Sequence, residues 1–207
     1  MKSLVILLFV CFAHGASILN DKSEPIVEAT PTELTNENDE IIEETPEDFI
    51  EQAISKNDAD AVKFLIEGYG IDKNYLFRAC ELCSPAVANM LIVNGTSVHD
   101  YSGQWMWRPI HYATYNNCKE ITKMLIEKGA DVNAKIQIGY TPLHIAAHNN
   151  RYKIAKLLIN HGADPSIRDS WLWGRTALEW AESKNHEEVM DVLTEGYNNN
   201  NDDKVEY

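Results

Sequence analysis

The 207-residue chain is expected to fold as an all-α solenoid of about five stacked helix pairs joined by hairpin loops. Three observations lead there. Gly95, Gly129, Gly162 and Gly196 recur at steps of 34, 33 and 34 residues. Each closes an apolar run of helical character: MLIVNG, MLIEKG, LLINHG and VLTEG. Upstream of them, Ala79, Ala113, Ala146 and Ala181 recur at steps of 34, 33 and 35. Two markers holding one period signify structural repetition, because a helix pair too small to bury its own apolar face acquires a core by stacking on its neighbours.

The elements follow in order. Lys2 precedes an apolar run of ten residues from Leu4 to Ala13, and Ala13 and Gly15 take the −3 and −1 positions ahead of Ala16. Residues 1–15 are therefore expected to be a secretory signal peptide. The run is half the ~20 residues a spanning helix requires, and no later segment is long and apolar enough to cross a bilayer. Residues 16–45 are acidic, rich in Thr, Pro and Asn, and lack aromatic side chains. They bury too little apolar surface to offset their ordering entropy and are expected to be disordered.

Residues 46–197 carry the repeats. Thr45 and Pro46 provide an N-cap and a first helical position, and the first unit, 46–70, holds two helical patterns. The second, YLFRACELCSPAVANMLIVNG (75–95), keeps the helix pair. The third reads RPIHYATYNNCKEITKMLIEKGADVNAK (108–135) and the fourth GYTPLHIAAHNNRYKIAKLLINHGADPSIRD (139–169). In both, a proline opens the first helix, where its missing N–H does no harm. Ala146 and Ala147 are small enough for helices to approach closely. Ile154, Leu157 and Leu158 form the apolar stripe of the second helix, which Gly162 closes. The fifth unit is GRTALEWAESKNHEEVMDVLTEG (174–196), followed by a polar tail, 198–207, expected to fray.

The fourth unit closely resembles the ankyrin repeat, whose 33-residue unit carries T-P-L-H-x-A. The third departs from that signature at Arg108 and Ile110, and the fifth replaces its histidine by Glu179. The second lacks Thr-Pro and His. The resemblance spans about 150 residues, specific in two repeats and degenerate at both ends, as expected of terminal repeats that face water. It implies two antiparallel helices and a hairpin finger per unit. It also implies a hydrogen-bonding role for His111 and His144 between neighbouring loops, and partner binding through finger tips and the concave face of the first helices.

Charge narrows the function. Between Asp21 and Glu51 twelve acidic residues stand against one base, a net of −11, whereas 52–207 carry only −4. No basic stripe is present to neutralise phosphates, which argues against nucleic acid. No nucleophile accompanies His111 or His144, Glu187 and Glu188 suit a helix start, and neither a phosphate-cradling loop nor a metal-ligand spacing appears. No catalytic, cofactor or metal site is expected. Cys11 leaves with the signal, so Cys80, Cys83 and Cys118 remain. A Cys83–Cys118 bridge between adjacent repeats is one reading, close to the usual Cα limit of about 7 Å. Small buried apolar side chains are the favoured one.

Candidate contact residues lie in fingers and groove. Trp105/Trp107 and Trp171/Trp173 form two Trp-x-Trp pairs ahead of first helices, and strand-like alternation places both rings of a pair on one side. Each pair either packs to shield its hairpin or presents rings to a partner, and one ring doing each is a third reading. Trp and Tyr are the residues most enriched among binding hot spots. Tyr101 and Tyr140 occupy the same set of loops. The positions after the small pair, Tyr115/Asn116 and His148/Asn149, are expected to face the groove. Asn94-Gly95-Thr96 is the single glycosylation sequon, at the exposed end of a second helix. The acidic segment reads as a solvated leader, or as a salt-sensitive arm for a basic partner or for the groove itself.

The expected function is that of a secreted, extracellular module that is not an enzyme and needs no cofactor. It binds one protein partner as modulator, inhibitor or effector, and is monomeric in isolation without membrane contact. The competing reading is a structural or toxin-like component that self-associates or touches membranes.

Overall fold

The computed structural model describes residues 45–69, 75–170 and 174–202, with side chains as far as Gly196. The expected signal peptide, the acidic segment before Thr45 and the pair Trp171/Trp173 lie outside the described residues. Ten helices form five antiparallel pairs among the described residues: α1 (Pro46–Ser55) with α2 (Ala59–Tyr69), α3 (Tyr75–Glu81) with α4 (Pro85–Val93), and α5 (Pro109–Tyr115) with α6 (Lys119–Glu127). These are followed by α7 (Pro142–His148) with α8 (Tyr152–Asn160), and α9 (Ala177–Lys184) with α10 (Glu187–Asp202). First helices pack on first helices along the array and second on second, giving two layers. The expected all-α repeat solenoid is the fold observed.

Local chemistry starts each unit. Thr45 caps α1 through a reciprocal box, its hydroxyl accepting from the Asp48 N–H while Asp48 accepts from the Thr45 N–H at 2.8 Å. Thr141 and Thr176 cap α7 and α9. Four of the five first helices turn into the second through an asparagine at positive φ (Asn57, Asn117, Asn150 and Asn185), and the remaining one uses Cys83. Asparagine tolerates the left-handed region better than other non-glycine residues.

One core runs through the stack. Ala79, Ala113, Ala146 and Ala181 have no exposed surface, and they share that core with Leu76, Ile110, Leu125, Leu143, Leu158 and Leu193. The small side chains stand where first helices press together. The stripe expected for α8 is buried at Ile154 and Leu158, whereas Leu157 is half-buried.

Two expectations need correction. Gly196 does not end its helix. α10 runs through it to Asp202, and Gly196 packs against the preceding repeat: a Cβ there would meet the Ile159 side chain at 2.8 Å. The polar residues after 197 thus begin inside a helix. Second, Cys83 and Cys118 are paired, with Cα atoms 5.2 Å apart, so the favoured reading of three buried thiols holds only for Cys80, which is buried and free. The left-handed turn at Cys83 carries its sulfur toward the next repeat, shortening a span that helix spacing alone makes tight. Burial raises the Cys80 thiol pKa far above its ordinary value, so it stays protonated.

At the first junction, in place of that disulfide, Asn57 accepts from the Ala86 N–H at 2.8 Å and Ser84 donates to the Ile54 carbonyl at 2.6 Å. The later junctions use Arg151 to the Tyr115 carbonyl (3.2 Å) and His186 to the Ala147 carbonyl (2.8 Å). Every interface in the stack is therefore tied at the same turn, one of them covalently.

Candidate binding groove

The hairpin fingers stand beside the first helices, and two histidines hold them in register. His111 Nδ1 accepts from the Arg108 N–H at 3.0 Å, which leaves Nε2–H to donate to the Ala134 carbonyl of the next finger at 3.0 Å. His144 repeats the arrangement, accepting from the Thr141 N–H at 3.2 Å and reaching the Arg175 carbonyl at 3.1 Å. The loop-joining role implied for both is observed. Burial lowers the pKa of each, that of His111 to about 4, so both are neutral linkers at pH 7. Glu179 substitutes at the fifth unit, accepting from the Thr176 N–H at 2.8 Å and pairing with Arg168 at 3.2 Å.

Backbone bonds then join finger to finger. The Gln137 N–H donates to the Trp105 carbonyl at 3.0 Å, and the Ser170 N–H to the Ile138 carbonyl at 2.9 Å. Gly139 makes the second contact possible: it has φ +79, and a Cβ there would lie 2.6 Å from the Ser170 nitrogen.

The first finger corrects the alternation argument. Ser102 and Trp107 form an antiparallel bridge closed by a tight turn, with Met106 at positive φ. Trp105 therefore sits in the turn itself, not two places along a strand. Trp107 is half-buried and makes edge contacts with Tyr112 (ring centroids 5.1 Å) and Tyr115 (5.7 Å). Trp105 remains 46% exposed. In this pair one ring packs and the other faces solvent.

A single hollow of about 300 Å³ gathers six of the residues singled out in the sequence. Trp105 and Trp107 enter from the first finger, Tyr115 from the end of α5, Tyr140 from the second finger, and His148 and Asn149 from the end of α7. Ile136, Ile138 and Ile145 complete the lining. These three are absent from the candidates named above, although Ile136-x-Ile138-x-Tyr140 shows a period of two that points one face of the finger inward. Asn149 spends its amide donor on the Ile145 carbonyl of its own helix (2.9 Å), and Asn116 does the same to Tyr112 (3.0 Å).

Trp180, also absent from those candidates, does not line the hollow but packs against two residues that do, Tyr140 and His148. Its indole N–H donates to buried Asp169 at 2.6 Å, Arg175 lies 4.8 Å over its ring, and Tyr140 and His148 meet it edge-on at 5.6 and 5.2 Å. Burial, followed by the nearby charge of Lys184, lowers the His148 pKa, so it too is uncharged at neutral pH. Tyr101 is exposed at the base of the first finger, and Asn94 is exposed at the C-cap of α4, on the second-helix layer away from the groove.

Among the described residues no cluster of His, Cys, Asp or Glu is arranged to hold a metal ion, and no helix is long and apolar enough to cross a membrane. A helix-pair stack that presents a finger-walled concave groove defines a repeat-type binding scaffold. The chain belongs to the ankyrin-repeat family: the family model for ankyrin repeats in three copies matches it over residues 50–136, 76–169 and 136–203. No curated protein matches the chain. Ankyrin repeats are protein–protein interaction modules, generally without enzymatic activity.

Proposed function

We propose that this protein is a secreted, non-enzymatic module that captures one protein partner in the groove between its fingers and first helices, as a modulator, inhibitor or effector. The convergence of Trp105, Trp107, Tyr115, Tyr140, His148 and Asn149 on one hollow carries the reading. Trp and Tyr are the residues most enriched among binding hot spots, and a concave, mostly apolar hollow is the kind of surface in which they meet a partner.

Secretion is supported by the leader pattern in the sequence and by the Cys83–Cys118 disulfide, since such bonds persist in oxidising compartments. Expression in a secreting eukaryotic cell tests it. The chain should appear in the medium cleaved before Ala16, and Asn94→Gln should remove a glycan-sized mass. Retention inside the cell with residues 1–15 intact contradicts the proposal. Size-exclusion mass measurement should return a monomer. A self-associating species supports the structural-component reading instead.

Capture from extracellular fluid by the wild-type chain and by a Trp105→Ala/Tyr115→Ala variant tests the groove. The variant should lose the partner while its stability stays close to wild type. Trp105→Ala alone should shift stability by less than about 0.5 kcal/mol, as for other exposed positions. Trp107→Ala should cost roughly 2 kcal/mol through its lost ring contacts. Equal capture by both proteins removes the groove as the grip.

A further inference from the structure

We infer that the groove takes an extended segment of its protein partner through one large, uncharged, apolar anchor side chain, aliphatic or aromatic. The inference rests on the protein-binding reading and states what the groove selects. Among the described residues six large hydrophobics are exposed, and four of them (Tyr101, Trp105, Met106 and Tyr115) lie on the first finger and the adjoining end of α5. The other two, Phe64 and Val93, belong to second helices. Trp105 and Tyr115 line the hollow itself, so the uncovered apolar surface is concentrated on the finger and helix end that wall the groove, the pattern expected of an interaction site.

The lining decides the chemistry of the anchor. It contains no Asp, Glu, Lys or Arg, and Ile136, Ile138 and Ile145 supply its aliphatic surface. Depletion of charge marks the core of an interface, and an unpaired charge brought there loses its hydration without compensation. Aromatic walls also admit a cation, but the charges already present oppose one. Arg175 covers the Trp180 ring, Lys184 acts electrostatically on His148, and the Arg151 guanidinium is bound at the Tyr115 carbonyl. An apolar side chain meets none of these repulsions.

Size and shape decide the rest. About 300 Å³ sits at the lower end of ligand sites, enough for a side chain and part of its backbone. On the other side of the ridge formed by Trp105, Trp107 and Tyr115 lies a second hollow of about 290 Å³, edged by Glu81, Ser102 and Asn116. A chain crossing that ridge in extended form places its anchor in the first hollow and a neighbouring side chain in the second, more polar one. A compact small molecule uses only one of them.

The test is selection of a randomised linear peptide display library on the full chain, with counter-selection on Trp105→Asp, whose exposed site leaves the fold intact by thermal melting. The enriched peptides should share one Leu, Ile, Met, Phe or Trp, and alanine at that place should weaken binding by about tenfold or more, the effect of burying one such side chain. Enrichment of Lys or Arg at the common position, enrichment of Asp or Glu there, equal retention by Trp105→Asp, or no enrichment on the wild-type chain each overturns the inference. Its failure is separable from failure of the function proposed above. A partner captured from fluid through the groove, with charged peptides selected, sinks only the anchor chemistry. Apolar peptides selected with no groove-dependent partner captured sink only the functional reading.

Discussion

Replacing Cys83 and Cys118 together by alanine is expected to lower stability by roughly 4 kcal/mol. Most of this comes from releasing a loop whose ends are 35 residues apart in the unfolded chain. A local strain is present as well, because cysteine and alanine are alike disfavoured at the φ of +53 that Cys83 adopts, so the alanine pair keeps it. The first junction of the stack separates the two contributions. There Asn57 and Ser84 occupy the places that Cys83 and Cys118 hold at the second, and they tie the repeats by hydrogen bonds. Cys83→Asn with Cys118→Ser copies that junction, and should recover about 1–2 kcal/mol of the loss by relieving strain and restoring polar contacts. Chemical denaturation of the three proteins without reductant measures both effects. If the alanine pair melts like the wild type, the covalent tie contributes nothing. If the copied junction is no better than alanine, the equivalence of the two turns is wrong.

Acidification from pH 7 to pH 4 should destabilise the array by about 3 kcal/mol through His111 alone, the free energy equivalent of its pKa difference. Burial brings the folded-state value to about 4 from an ordinary 6.5. Between those values the unfolded chain binds a proton that the folded chain refuses. The stabilisation is therefore complete above pH 6.5, is lost as pH falls through the window, and declines no further below about 4. His144 is shifted in the same direction and adds to the slope. Asp48, whose pKa is lowered by its bonds to Thr45, contributes only at the acid end of this window, and it does so equally in wild type and in a His111 variant. Denaturant midpoints at several pH values, for wild type and His111→Gln, give the measurement. The glutamine retains an N–H donor for the Ala134 carbonyl but does not titrate, so its profile should be flatter. An unchanged slope in that variant means that His111 is not the source.

These two effects sit at different depths of legibility. Four helix pairs and the continuous core were readable from the spacing of alanines and glycines, and the first pair from its two helical patterns. A stacked array makes each contact between near neighbours in sequence, so periodicity in one dimension reports packing in three. The groove was half readable. Tyr115, His148 and Asn149 are fixed by register from the buried alanines, and Tyr140 and the first Trp pair by their place before a first helix. Trp180 was hidden, because it sits inside a helical pattern and reads as core. Only its bond to Asp169 and its edges against Tyr140 and His148 show it as a support for the groove residues.

The chain by itself determined the repeat, the first-helix alanines and which side chains point away from the core, because helical geometry converts spacing into direction. Tertiary structure decided three other matters. It paired Cys83 with Cys118, turned Trp105 into a hairpin tip instead of a strand, and carried α10 past Gly196. Each depends on a left-handed turn, a tight bend or a helix that continues where its counterparts stop. Such features are set by local backbone angles and by what lies alongside, and residue spacing records neither.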